Sequence, residues 1–255
     1  MSDKILDVSG LSMRFGGLLA VDGVSLDVAD KQIVSIIGPN GAGKTTVFNC
    51  ISGFYRPTGG RIDFKGRPTQ GMPDYKISRL GMVRTFQHVR LFNHMSVIEN
   101  LLVAQHRHVN TNLFAGLFNT RSYRKQENEA MEYAAYWLDK VGLIDVANRE
   151  AGNLAYGQQR RLEIARCMVT KPALLMLDEP AAGLNPNETQ DLDSLIVSLK
   201  NDYNVSILLI EHDMSLVMGI SDKIVVVNQG RHLASGTPDE IKNNQDVIKA
   251  YLGEE

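Results

Sequence analysis

Residues 33–50 read IVSIIGPNGAGKTTVFNC, and this run decides the architecture. Ile33 to Ile37 is a short apolar stretch suited to a buried strand. Gly38 to Thr45 fit G-x-x-x-x-G-K-[ST], and Val47 to Ser52 reads as a helix that stops at Gly53. A strand that turns into a helix through a glycine-rich loop is a phosphate cradle. Gly38, Gly41 and Gly43, with Pro39, Asn40 and Ala42 between them, let successive N–H groups face inward, and the helix start adds its positive dipole end. In such a loop Lys44 reaches the β- and γ-phosphates, Thr45 offers its hydroxyl to Mg²⁺, and Thr46 closes the binding stretch.

Working outward, Ile5 to Val8 and Ser25 to Val28 alternate like half-buried strands, and Pro57 with Gly59-Gly60 marks a loop. Beyond the middle of the chain, "ALLMLDE" and "VSILLIEH" read as buried strands, with a helix face of Leu192, Leu195, Ile196 and Leu199 between them. Lys223 to Val227 turns at "NQGR" into a hairpin, and Thr237, Pro238 and Glu240 supply the N-cap, N1 and N3 of a further helix. The central segment differs. Ser96 and Glu99 have capping-box spacing ahead of Leu101, Leu102 and Val103, and Met131, Ala134, Ala135, Leu138 and Val141 mark a long helix from about Tyr123 to Val141. The stretch between them, "HRHVNTNLFAGLFNTR", reads as a loop or short helical insertion. The expected fold is α/β: a P-loop NTPase core with a mixed, largely parallel sheet, an antiparallel β portion in the first residues, and an inserted helical subdomain. Residues 1–255 form one domain in this reading, with 1–90 and 166–255 as the core and 91–165 as the insertion.

At 255 residues the chain can bury a full-sized core, and 44% hydrophobic with 22% charged residues is ordinary for a globular protein. A net charge of −2 provides no basic surplus for nucleic acid. Cys50 and Cys167 lie far apart without metal-type spacing, as expected of buried thiols in a reducing compartment. The first residues, MSDKILDVSG, lack the apolar run of a secretory signal, and no window approaches the roughly 18 apolar residues of a membrane span. Membrane contact is therefore expected only through a partner.

Two acids end the "LLMLDE" strand, at the edge where open α/β sheets bind ligands. Asp178 is expected to hold the hydration shell of Mg²⁺ and Glu179 to act as general base on the attacking water. His212 follows the next buried strand and should emerge on the same edge, where a neutral imidazole can bond phosphate and water together. His88, His94, His106, His108 and His232 read as surface or packing residues.

Taken in order over nearly the whole chain, these motifs resemble the nucleotide-binding subunit of ABC transporters. "LAYGQ", Leu154 to Gln158, is similar to that family's signature sequence, usually LSGGQ. "AGLN", Ala182 to Asn185, is similar to its D-loop, Gln87 in "RTFQ" to its Q-loop glutamine, and Phe15 in "MRFGG" stands where the family has an aromatic that stacks on adenine. The resemblance implies that Leu154, Ala155, Tyr156, Gly157 and Gln158 cap ATP held by the phosphate loop of a second ATPase subunit, identical or similar but distinct. It also implies that Gln87 reaches Mg²⁺ and water. Ala155, Tyr156 and Asn185 depart from the usual serine, glycine and aspartate. Loss of one charge-assisted hydrogen bond at Ala155 would weaken the trans contact by about 1.5–3 kcal/mol.

"VRTFQHVRLFNHMSVIENLLVAQH", "NLAYGQQRRLEIAR" and "EPAAGLNP" look most like the ATPase subunits of branched-chain amino acid importers. The implied partners are membrane-spanning permease subunits, which the segment "HVRLFNHMSVIENLLVAQ" suits as a socket, and indirectly a periplasmic or extracellular binding protein. The implied location is the cytoplasmic face of the membrane. Two other readings stay open: the ATPase of a lipid or polysaccharide exporter, and a soluble ABC ATPase acting on nucleic acid or ribosomes. The last is disfavoured by a single cassette, the lack of sustained heptads and the acidic balance.

Overall fold

The computed structural model describes residues 4–87, 89–105 and 121–252, which separate into two compact units. One comprises Met1–Arg84, Ala173–Ala182 and Thr189–Glu255; the other comprises Thr85–Pro172 and Gly183–Glu188.

In the first unit, β1 (Lys4–Phe15) and β2 (Leu18–Ala29) form an antiparallel hairpin, joined on the other side of β1 by β4 (Gly59–Phe64) and then β5 (Arg67–Pro68). The glycines Gly59 and Gly60, expected in a loop, begin a strand. A β-carbon on Gly60 would lie 2.5 Å from the Gly10 carbonyl oxygen, so the glycine is needed where the β1–β4 pairing shifts register between Ser9 and Ser12.

The second sheet has six strands in the order β10-β9-β3-β8-β7-β6. Five run parallel: β3 (Ile33–Ile37), β6 (Met82–Arg84), β7 (Leu174–Asp178), β8 (Ser206–Ile210) and β9 (Lys223–Asn228). The edge strand β10 (Arg231–Gly236) returns antiparallel through Gln229-Gly230. Every residue of β3, β7 and β8 is buried, which explains why apolar residues fill both faces: strands covered on both sides have no solvent face to alternate with, and the buried Ser35 and Ser206 are bonded to Ser221 and the Lys31 N–H. Helix α1 (Lys44–Ile51) starts inside the glycine loop, three residues ahead of the expected Val47, and buries Val47, Phe48 and Ile51 in a core shared with both sheets. The unit also holds α2 (Asp74–Arg79).

In the second unit, α3 (Val97–Gln105), α4 (Arg121–Lys140) and α5 (Tyr156–Met168) pack on one another pairwise. They bury Val97 and Leu101, then Ala134, Trp137 and Leu138, then Leu162 and Ile164. The Ser96–Glu99 capping box is formed, with Glu99 Oε2 accepting the Ser96 N–H at 2.7 Å and Ser96 Oγ accepting the Glu99 N–H at 3.3 Å. The stretch between α3 and α4 lies outside the described residues, as do His88, His106 and His108. Cys50 and Cys167 are buried, and His94 and His232 are exposed.

Helix α6 (Pro186–Tyr203) leads toward β8, and α7 (Met214–Ile220), α8 (Pro238–Lys242) and α9 (Gln245–Leu252) complete the chain's described elements. Thr237 caps α8 with the reciprocal Glu240 bond expected from its spacing. Among the described residues no helix is long and apolar enough to cross a membrane.

Candidate active site

Sheet order places the chemistry. Strand β8 lies between β3 and β7, with Ile36, Ile210 and Asp178 abreast across the ladder. The glycine loop, His212 and Glu179 therefore leave the same carboxyl edge. Gly38 takes φ 152° and Gly43 φ 98°. A β-carbon on Gly38 would lie 1.9 Å from the Val227 carbonyl oxygen, and one on Gly43 2.8 Å from that of Ala20, so only hydrogen fits at either position. The loop and Glu179 line a cleft of about 460 Å³ containing Asn40, Gly41, Ala42, Gly43, Lys44, Thr45 and Thr46, with Leu18, Leu19, Ala20, Gln229 and Gly230 as its remaining wall. Lys44 Nζ donates to the carbonyls of Gly38 at 2.6 Å and Pro39 at 3.0 Å. Burial lowers the Lys44 amine from its ordinary range, and the Glu179 charge acts against that shift. Phe15 does not line this cleft. It sits beside the Gly16-Gly17 turn with its ring edge-on to Tyr55, centroids 5.2 Å apart, and its neighbours Leu18 and Leu19 form the wall instead.

Asp178 is buried, and its Oδ2 accepts from Arg84 Nη2 at 2.5 Å. Arg84 Nη1 also donates to Asn49 Oδ1 at 2.7 Å and Ser52 Oγ at 2.9 Å, tying the strand-end acid to helix α1. Glu179 adopts φ 46°, a left-handed conformation that costs a non-glycine residue about 1 kcal/mol or more. The Glu179 N–H donating to the Ile210 carbonyl at 2.9 Å holds it there. Glu211, unremarked in the sequence, is buried and ties two strand ends together: Oε1 accepts the Ala181 N–H at 2.8 Å and Oε2 the His212 N–H at 3.0 Å. Burial pushes the Glu211 carboxyl up, opposed by the N–H groups of Ala181, His212 and Asp213. The His212 side chain is 63% exposed, with Nδ1 3.8 Å from Glu211 Oε2.

The second unit carries the "LAYGQ" segment at the start of α5. Leu154 is buried, and Ala155 is the N-cap. Alanine offers no side-chain oxygen to the N3 amide, so only the reciprocal half of a capping box exists, Gln158 Oε1 accepting the Ala155 N–H at 3.2 Å. The Tyr156 ring covers Gly183, and the Glu188 carboxylate packs on Gly157, whose β-carbon would lie 2.5 Å from Oε1. Asn185 Oδ1 accepts the N–H groups of Asn187 and Glu188, each at 3.0 Å, so asparagine caps α6 here as aspartate would.

Gln87 is exposed, while its backbone is clamped by α5. Arg160 donates to the Phe86 and Gln87 carbonyls, each at 2.7 Å, and pairs with Glu163 at 3.1 Å. Glu163 Oε1 in turn accepts the Phe86 and Arg90 N–H groups, each at 3.4 Å. Both side chains are buried, and burial pushes the Glu163 carboxyl up while Arg160 pulls it back. Arg160→Ala therefore leaves a buried carboxylate without its cation and is expected to destabilise the chain by about 3–5 kcal/mol. An acid whose folded pKa is raised binds more protons in the native state, so this variant should lose stability as pH rises above the ordinary carboxylate range and regain it below. Urea melts of parent and variant across that range check both the size and the sign.

The residues 21–182 match the family model described as ABC transporter. The chain belongs to the ABC transporter ATP-binding family. Residues 231–255 also match the model described as branched-chain amino acid ATP-binding cassette transporter. The chain is 68% identical over 254 residues to the high-affinity branched-chain amino acid transport ATP-binding protein BraF of Pseudomonas aeruginosa, covering all of both chains. It is 65% identical, again over the full length of both, to the corresponding ATP-binding protein LivG of Escherichia coli. Among solved structures it resembles the ADP conformation of MJ1267, an ATP-binding cassette of an ABC transporter, at 32% identity and a TM-score of 0.85, covering 98% of this chain and 99% of that one.

As a cassette of this family the chain binds ATP, and the oxygen donors around its cleft suit a small hard cation. Thr45 is exposed on the first turn of α1 and Asp178 ends β7, whereas no cluster of three His, Cys, Asp or Glu residues exists among the described residues. Mg²⁺ is held in this way, through one or two protein oxygens plus phosphate and water, so the residues present fit it.

Proposed function

We propose that this cassette hydrolyses ATP as a subunit of an importer of branched-chain amino acids. One observation carries the ATPase reading: Lys44 and Glu179 line the same cleft as the glycine loop that begins α1. The loop's N–H groups and Lys44 grip the β- and γ-phosphates, with Lys44 giving up its bonds to the Gly38 and Pro39 carbonyls. Thr45 and Asp178 hold Mg²⁺, assisted by Gln87, and the ion's chemistry is to neutralise charge on the phosphate oxygens. Glu179 takes the proton from the attacking water, and His212 orients water and γ-phosphate. Phe15 packs on the adenine where the base extends out of the cleft past Leu18 and Leu19.

Leu154 to Gln158 act on the nucleotide of a second subunit. The start of α5 directs N–H groups and partial positive charge at that γ-phosphate, and Gly157 permits close approach. ATP becomes part of a dimer interface, and its hydrolysis loosens the pair. That cycle drives permease subunits docked on the helical unit, where Phe92 and Val103 are exposed, so the chain works at the cytoplasmic face of the membrane. Cargo reaches the permeases from a binding protein outside it. The identity of the cargo is supported by the relatives' names, since an ATPase subunit does not touch it.

Reconstitution of the chain with its co-purifying permease subunits in vesicles tests this reading. ATP-dependent uptake of leucine, isoleucine or valine is expected. Robust ATPase activity with export of lipid, or with no response to any branched-chain amino acid, would overturn it.

A further inference from the structure

Arg84 ends the edge strand β6, and across the ladder it stands beside Met176, two residues short of Asp178. A long side chain is needed to reach the strand-end acid from there, and arginine spans the gap along the carboxyl edge of the sheet. Its Nη2 meets Asp178 Oδ2 at 2.5 Å, while Nη1 donates to Asn49 Oδ1 at 2.7 Å and Ser52 Oγ at 2.9 Å. The side chain is 9% exposed, and the guanidinium carbon lies 5.4 Å from the Phe48 ring centroid and 5.7 Å from that of Phe54. The fork of hydrogen bonds and the packing on two rings leave the planar group little freedom.

The two ends of the fork hold different elements of the site. Asn49 and Ser52 stand four and seven residues after Thr45, the spacing of one helix face, so the Nη1 end grips the side of α1 that carries Thr45. The Nη2 end grips the acid that closes β7. Thr45 and Asp178 are the two protein oxygens assigned to Mg²⁺, a cation that demands near-ideal octahedral geometry at about 2.0–2.1 Å. A donor pair drawn from a helix and a strand meets that demand only when something fixes the spacing between them. With Oδ2 bonded to the guanidinium, the orientation of the Asp178 carboxylate is set as well.

We propose that Arg84 is a positioning residue for the cation: its guanidinium is a rigid spacer that holds Asp178 and the Thr45 face of α1 at the separation Mg²⁺ requires. Arg84 acts through the carboxylate and the helix, so its effect falls on metal affinity in the nucleotide complex. Lysine in its place would balance the buried charge of Asp178, but a point charge without the planar fork does not hold both elements in one geometry. This inference rests on the ATPase reading above and names the group that aligns its metal donors.

The test compares Arg84→Lys and Asn49→Ala with the parent full-length chain. AMP-PNP, a non-hydrolysable ATP analogue, is kept below the protein concentration, and Mn²⁺ binding to the complex is followed by electron paramagnetic resonance. Calorimetry gives the affinity for metal-free AMP-PNP, and a thermal melt gives Tm. Arg84→Lys keeps the buried cation, so it should fold and bind metal-free AMP-PNP as the parent does, while its Kd for Mn²⁺ rises about tenfold or more. Asn49→Ala leaves the Arg84–Asp178 pair in place and weakens only the α1 end, so its Kd for Mn²⁺ should rise about three- to tenfold. Parent-like Mn²⁺ affinity in Asn49→Ala, or in a folded Arg84→Lys, would reduce the arginine to a partner for buried charge and overturn the proposal. Equal losses of Mn²⁺ and metal-free AMP-PNP affinity would mean a damaged cradle and overturn it likewise. A parent chain that bound AMP-PNP but took up no Mn²⁺ would overturn the metal assignment with it, and one that bound no nucleotide would overturn the ATPase reading itself.

Discussion

Glu179→Gln is expected to retain ATP binding while hydrolysis falls by about 10²- to 10⁴-fold, the usual contribution of a positioned general base. The amide matches the carboxylate in shape and keeps its hydrogen-bonding reach, but it cannot take a proton from water. The backbone should not move, because φ 46° at this position is held by the N–H bond to Ile210, which a side-chain change leaves in place. With the γ-phosphate uncleaved, the contacts that close two subunits on ATP persist. The variant should therefore elute as a dimer in Mg-ATP and as a monomer after nucleotide removal. Single-turnover hydrolysis and size-exclusion chromatography check the two halves separately. A rate within tenfold of the parent would remove Glu179 from the role of base.

Lys44→Ala is expected to raise the Kd for ATP at least about 10-fold, since a charge-assisted bond to phosphate contributes about 1.5–3 kcal/mol. The lysine is 8% exposed, with a lowered pKa because burial penalises its charge. That desolvation is offset only when phosphate oxygens replace the two loop carbonyls it now contacts. The free protein should lose little stability when the amine is removed, while the nucleotide complex loses its strongest cation. Calorimetric titration alongside a thermal melt distinguishes this from general damage: weak binding with a parent-like Tm is the expected pair. An unchanged Kd would place the phosphates elsewhere.

Local signals were well written in the sequence. The mainly apolar, non-alternating runs of β3, β7 and β8 announced strands buried on both faces, and the Ser96–Glu99 and Thr237–Glu240 spacings announced helix starts that form as expected. Those strand ends also foretold that the glycine loop, Glu179 and His212 would share one edge. Misreadings arose where one residue type serves two purposes. Gly59-Gly60 looked like a loop because glycine is common in turns, yet Gly60 serves a close approach of two paired strands.

Other groups of the site were invisible for a different reason. Arg84 and Asp178 stand 94 residues apart, and Arg160 reaches carbonyls more than 70 residues away. Nothing near Arg84 names Asp178, and the local Arg160–Glu163 spacing does not name the distant carbonyls that Arg160 also holds. Glu211, next to the conspicuous His212, read as part of a strand end and proved to be the tie between two loops. The sequence by itself determined the phosphate loop, the strands on either side of its acids and the helix caps, because each depends on residues within one or two turns of the chain. The tertiary structure alone decided which cation faces Asp178, what clamps the backbone of Gln87 and which distant carbonyl crowds Gly38. Those pairings depend on strand order and helix packing, which bring together groups that no local spacing connects.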